Sequence, residues 1–219
     1  MTLASKMTEE EGALNTLLAG YAAGHLPAPL HGLIAAHLLM KPDNRGFVEA
    51  MEILHSEKIE KVAPSPLSNR DKMLNQIFSQ PVEVPKERVS SADELVPEPI
   101  AAFIGSDLNQ LKWRTRLPGL KEYARKDPSG CEASLLWIKA GRTMPSHTHD
   151  GTEITLVLQG AFSDGNQHYA RGDIAIADGE IDHRPKADEG EDCICFVVND
   201  APLRLTGPFG RLFQHFMGY

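Results

Sequence analysis

Apolar residues in the first third of the chain recur every three or four positions, the period of a helix. Leu14, Leu17, Leu18 and Tyr21 share one helical face, and Gly24 and Pro27 close that element. Leu30, Leu33, Ile34, His37 and Leu38 form a second stripe that ends at the Pro42-Asp43-Asn44 turn. A third stripe runs through Phe47, Val48, Met51 and Leu54. Ser68 and Asp71 have the spacing of a capping box ahead of Met73, Leu74, Ile77 and Phe78. These helices are short and carry few large apolar residues, so a domain over residues 1–80 is expected to have a thin core that relies on a partner or a metal.

The period changes further along. Residues 81–99 are polar, with four prolines and no periodicity, which predicts a linker. Beyond it, short runs rich in β-branched and aromatic residues alternate with turn residues: 134–138, 153–162, 168–169, 173–177 and 193–198. Many short strands with frequent turns predict an all-β barrel or sandwich over residues 100–219. The expected fold class is therefore α+β in two parts, a small helical domain followed by a β-barrel.

Composition narrows the function. The formal net charge is −8 with no Lys/Arg stripe, which argues against direct nucleic-acid binding. Residues 1–80 carry 7 basic and 9 acidic side chains, so most of the acidity belongs to the rest of the chain. No apolar run reaches the length of a membrane span, and residues 1–16 lack the apolar core of a signal peptide, which makes the cytoplasm the expected location. Three cysteines, Cys131, Cys193 and Cys195, fit a reducing compartment better than a disulfide framework.

The chemistry concentrates between Gly141 and Glu153. His147 and His149 stand two apart, so on a strand both imidazoles point the same way, and a turn through Asp150 and Gly151 returns the chain at Glu153. His183, after the Gly172-Asp173 turn and another short strand, supplies a fourth donor, because hairpins distant in sequence can line one cavity. Imidazoles with one carboxylate suit zinc, manganese, iron, nickel or copper. The plain alternative for an isolated His-x-His is a pair of exposed strand histidines. Four protein donors closing a tetrahedron favour a structural or sensing zinc, whereas an open position favours chemistry. Asp150, Glu180 and Asp182 are candidates to orient the rings. Cys193 and Cys195 also share one strand face. If that face is the barrel interior, they lie near the metal, open to oxidation or ligation; otherwise they are two small core residues.

Gly141, five residues, His147-x-His149, three residues, Glu153, six residues and Gly160 resemble the first motif of the cupins. Gly172 and His183 resemble the second, although Asp178 and Glu180 replace its usual Pro and Gly. The resemblance implies a double-stranded β-helix barrel with one divalent metal, zinc first among the candidates, on His147, His149, Glu153 and His183. The whole chain resembles the ChrR-type anti-sigma factors, most closely in LLWI, EITLVLQGAF, GDIAIAD and DCICFVVNDAPLRL, and also in LLAGYAAG near the start. That family implies a helical domain that sequesters an extracytoplasmic-function sigma factor, and a cupin needed for release under singlet oxygen or organic hydroperoxide. The family's second zinc site, in the helices, does not carry over. His37 keeps one position, Lys41 and Asn44 stand where two cysteines are expected, and the early histidine falls near Gly12. The N-terminal zinc is therefore expected to be absent, and His37 to have an ordinary packing role. A cupin metalloenzyme, a dioxygenase or isomerase, is the alternative function; against it, no general acid or base is evident beyond the ligands. A homodimer is compatible with either reading.

Overall fold

Pro27 and Pro29 start a helix just where the apolar stripe of Leu33, Ile34 and Leu38 begins, because a proline costs no hydrogen bond in a first turn. The computed structural model describes residues 3–81, 95–105, 108–127, 130–165, 167–201 and 203–206. The expected linker therefore falls largely outside the described residues, as does the end of the barrel segment beyond residue 206. Helix α1 spans Leu3–Ala22, α2 Ala28–Met40, α3 Arg45–Ile59 and α4 Arg70–Ser79, with a single 3-10 turn at Pro42–Asn44 between α2 and α3. Leu18, Leu33, Ile34, Leu38 and Val48 are buried, as their periodicity predicts. The capping box expected at Ser68 does not form. Helix α4 begins at Arg70 behind Asn69, whose side chain makes no capping hydrogen bond.

A fifth helix, α5 (Glu98–Ile104), is absent from the periodicity because it has only seven residues, and the boundary expected at 99/100 falls inside it. It buries Ile100 and Ile104 and lies along α2, where a side chain at Gly32 would sit 3.5 Å from the Pro99 carbonyl. The Arg125 guanidinium donates to the Phe103 carbonyl at 2.6 Å, and the Phe103 ring meets Phe196 edge-on at 5.8 Å. These contacts fasten α5 to the barrel.

The strands are β1 (Arg114–Leu117), β2 (Leu120–Lys126), β3 (Glu132–Ile138), β4 (His147–His149), β5 (Glu153–Gln159), β6 (Ala161–Asp164), β7 (Gln167–Ala170), β8 (Ile174–Ala177), β9 (Lys186–Ala187), β10 (Cys193–Asn199) and β11 (Leu203–Leu205). One antiparallel sheet has the order β1-β2-β3-β10-β5-β8. The other has β7-β6-β9 and, across bridges from Thr143 to Lys186 and from His147 to His183, the pair β4-β11.

Strand β10 shows why the larger sheet sits centrally. Ile194, Phe196 and Val198 join an apolar cluster with Leu18, Leu33, Ile34 and Ile100 of the helices. Cys193, Cys195 and Val197 face the opposite way, into a second cluster with Phe162 and Tyr169 inside the barrel. A strand buried on both faces loses its alternation, and CICFVV reads as one apolar run for that reason. Gly160 makes the β5–β6 turn at φ +66°, and a Cβ there would lie 2.8 Å from the Asp192 carbonyl, so only glycine fits.

Candidate metal centre

The two histidines of β4 are held by backbone pairing on both sides. Leu203 and Leu205 of β11 pair with His149 and His147. On the other side His147 and His183 exchange both backbone hydrogen bonds at 3.0 Å, so two segments distant in sequence present their imidazoles directly across from each other. Glu153 opens β5, flanked in register by Asn199 of β10 and Ala177 of β8. One donor atom from each of His147, His149, Glu153 and His183 lies within 4.8 Å of the others. The sequence-predicted quartet converges.

Hydrogen bonds set the ring orientations. The Nδ1 of His147 donates to the Pro145 carbonyl at 2.8 Å, which leaves Nε2 with a lone pair. Asp164 Oδ2 accepts from His183 Nδ1 at 2.6 Å, again leaving Nε2 free. The Nε2 atoms of His149 and His183 face each other at 3.1 Å, while His149 Nδ1 is buried with no hydrogen-bond partner among the described residues and lies 3.8 Å from Glu153 Oε2. Thr155 donates to the other Glu153 oxygen at 3.1 Å.

Nitrogen lone pairs converging on a buried carboxyl make a set of polar atoms that a cation would satisfy together. Burial, and secondarily the nearby His183, pushes His147 and His149 down to about 4. Burial likewise pushes the Glu153 carboxyl up. His147 and His149 are thus neutral at pH 7, the form that ligates a metal, and a cation among these residues would favour an ionised Glu153. The donor set fits one divalent ion.

A cavity of about 610 Å³ opens beside His147 and Glu153, walled by Ile138, Met144, Phe162 and Tyr169. Cys195 lines it, and the Cys193 and Cys195 sulfurs are 3.6 Å apart, so the shared cysteine face is the barrel interior. The hydrogen bond to Cys193, followed by burial, drives the Cys195 thiol well above its usual range, so it stays protonated. Cys131 is half-buried.

None of the expected orienting carboxylates is seen bonded to a ligand ring among the described residues. Asp150 pairs with Arg204 at 3.0 Å, Asp182 accepts from Thr206 at 2.8 Å, and Glu180 lines the cavity beside Asp182. The carboxylate that does orient a ring is Asp164. It stands two residues after the inward-facing Phe162 on β6, and that alternation is the one sequence signal that points to it.

In the helices, His37 has a more specific role than packing. It is 3% exposed; its Nδ1 donates to the Gly172 carbonyl at 2.8 Å, and its Nε2 accepts from Asn44 Nδ2 at 2.7 Å. Burial holds it below the ordinary imidazole value. Lys41 pairs with Asp173 at 2.9 Å.

Comparison with known proteins agrees with this architecture. Residues 103–202 match the ChrR cupin-like domain. The anti-sigma-E factor ChrR of Cereibacter sphaeroides is 36% identical over 215 residues, covering 96% of this chain and 99% of that protein. Among solved structures, the crystal structure of Rhodobacter sphaeroides SigE in complex with the anti-sigma ChrR aligns at TM-score 0.72 and 35% identity, over 85% of this chain and 96% of that one. An RmlC-like cupin protein from Ralstonia eutropha aligns at TM-score 0.40 and 25% identity, over 48% of this chain and 72% of its own. Helices followed by a cupin barrel, with similarity along nearly the whole length, place the chain in one family: it belongs to the ChrR anti-sigma factors.

Proposed function

We propose that this chain sequesters an extracytoplasmic-function sigma factor on its helices and releases it when an oxidant acts on a metal-bound cupin. The observation that carries the reading is an uncovered apolar surface. Ile53, Leu54 and Ile59 of α3 and Met73, Ile77 and Phe78 of α4 are between 47% and 80% exposed. Helix α4 buries none of its residues. A ten-residue helix is marginal in water by itself, and large apolar side chains left exposed along two helices point to a docking surface. The relative aligned over 85% of this chain was crystallised with a sigma factor, which supplies the class of partner.

The cupin supplies the other half. His147, His149, Glu153 and His183 hold one divalent ion, zinc first, with manganese, iron or nickel compatible. Bound there, the ion neutralises the buried Glu153 and ties β4 to β5 and to the His183 loop. An oxidant that alters this centre, or the Cys193–Cys195 pair beside it, shifts the helix–barrel arrangement toward release, provided that it favours one arrangement over the other. Cys195, as a protonated thiol, is the slower target. The protein works in the cytoplasm without contacting nucleic acid. Turnover of a small molecule in the cavity is the weaker reading, because the uncovered helices have no role in it.

Co-expression with a candidate sigma factor tests the first half. A stable complex is expected, and the reading fails if none survives purification. Metal analysis tests the second half: about one divalent ion per chain in the wild type and none in His147→Ala, because a closed site rarely tolerates loss of a ligand.

A further inference from the structure

We propose that His37, Asn44 and Lys41 form, with Gly172 and Asp173, a clasp through which the state of the barrel cavity is passed to helix α2. Both nitrogens of the buried His37 ring are used, one on the Gly172 carbonyl and the other on Asn44 at the end of the 3-10 turn. One helical turn later Lys41 reaches Asp173, the next residue of the same loop. Gly172 sits at φ +90°, and a Cβ there would lie 3.0 Å from Lys41 Cγ and 3.2 Å from Met40 Cβ, so the end of α2 rests directly on the turn.

This turn carries the chain from β7 of the smaller sheet to β8 of the larger one, and both strands line the cavity. Tyr169 precedes the turn and Ala175 follows it, both facing the space beside His147 and Glu153. The turn is rigid. Gly172 donates to the Val157 carbonyl at 2.8 Å, Val157 donates back to Asp173 at 3.1 Å, and the second Asp173 oxygen accepts from the Ala170 amide at 2.8 Å. A shift of the cavity wall on either side of the turn therefore moves the Gly172 carbonyl and the Asp173 carboxylate together, and α2 with them. Lys41 and Asp173 are 41% and 34% exposed, so their pair alone contributes little. The buried His37 bonds add the geometric constraint, since a displaced Gly172 carbonyl would leave a buried donor unmet.

The consequence for release rests on the proposed function, but the coupling is testable without a sigma factor. Hydrogen exchange would be followed by mass spectrometry on the full chain, with the barrel perturbed by Ala175→Val, which fills the cavity from β8. In the wild-type background this substitution should change exchange in residues 33–44 several-fold, up to about tenfold for local opening. In His37→Leu/Asp173→Asn, which removes both links between α2 and the turn, the same substitution should leave that segment within error of its own parent. Tyr169→Phe, which removes only the hydroxyl that bonds Gln167, is the milder perturbation should Ala175→Val fail to fold. An α2 segment that ignores the cavity in the wild type overturns the proposal. So does a response that persists with the clasp broken, because the signal would then travel through the packing of α1 on β8. Failure to bind any sigma factor would sink the proposed function and leave this coupling standing.

Discussion

His183 is oriented before any ion arrives, because Asp164 fixes its proton on Nδ1 and turns Nε2 toward His149. Removing that carboxylate should cost affinity without removing a ligand: Asp164→Asn is expected to weaken metal binding about 10–100-fold, read by competition with a chromophoric chelator. Unchanged affinity would mean that strand pairing alone positions the ring. The four candidate ligands were legible because period-2 spacing and motif distances fall within one short stretch plus His183. Asp164 was not, since its 19-residue separation from His183 is bridged only by tertiary structure. His37 was misjudged for the same reason, its partner lying 135 residues away. The same centre makes a pH prediction for chelated protein. His147 and His149 fall from 6.5 to about 4 on folding, so the unfolded chain binds more protons between those values. Stability should therefore be full above pH 6.5 and decline toward pH 4, by on the order of 3 kcal/mol per ring. Glu153 acts in the opposite sense: its folded carboxyl is raised, and the stability it adds is present at low pH and lost as pH rises. Glu153→Gln should accordingly steepen the acid loss measured by urea unfolding. A flat profile from pH 7 to 4.5 in that variant would rule out the neutral-imidazole centre.

Among the elements, β10 and α4 sit at opposite ends of a scale of burial. Strand β10 is covered on both sides, so its sequence announced a core strand, whereas β1 (RTRL) and β2 (LKEYARK) are polar enough to escape notice. The helical stripes were legible in position but not in purpose. Leu18, Leu33 and Val48 go inward, while Leu54, Met73, Ile77 and Phe78 stay outside, and a period of 3.6 cannot tell a core from an interface. Phe78, 80% exposed at the end of α4, separates the two. Phe78→Asp should leave the thermal midpoint of the free chain unchanged, since the ring contributes nothing to the core. It should weaken sigma-factor binding by about 30-fold or more, the usual effect of losing an aromatic anchor. Titration calorimetry decides this. Equal affinity would remove α4 from the docking surface.

For the molecule as a whole, the core of the helices is continuous with that of the barrel. The helices do not rely on their own apolar residues alone: Leu18, Leu33, Ile34 and Ile100 share one cluster with Leu156, Phe196 and Val198 of the barrel. The sequence could not reveal this, because each apolar face records that it is buried but not against what. A shared core makes helices α1, α2 and α5 and the barrel one cooperative unit, so a ligand bound at one end stabilises the other. A metal present at a thousand times its dissociation constant adds about 4 kcal/mol to the folded state. At about 2–4 °C per kcal/mol for a chain of this size, chelation should lower the unfolding midpoint by about 10 °C. The diagnostic is which signals move. Helical circular dichroism and the fluorescence of Trp113 and Trp137, which flank the shared cluster, should shift together by the same amount. If the helical signal kept its midpoint while the barrel melted earlier, the two parts would be independent bodies, and a signal at His147 would have no thermodynamic route to the surface that holds the partner.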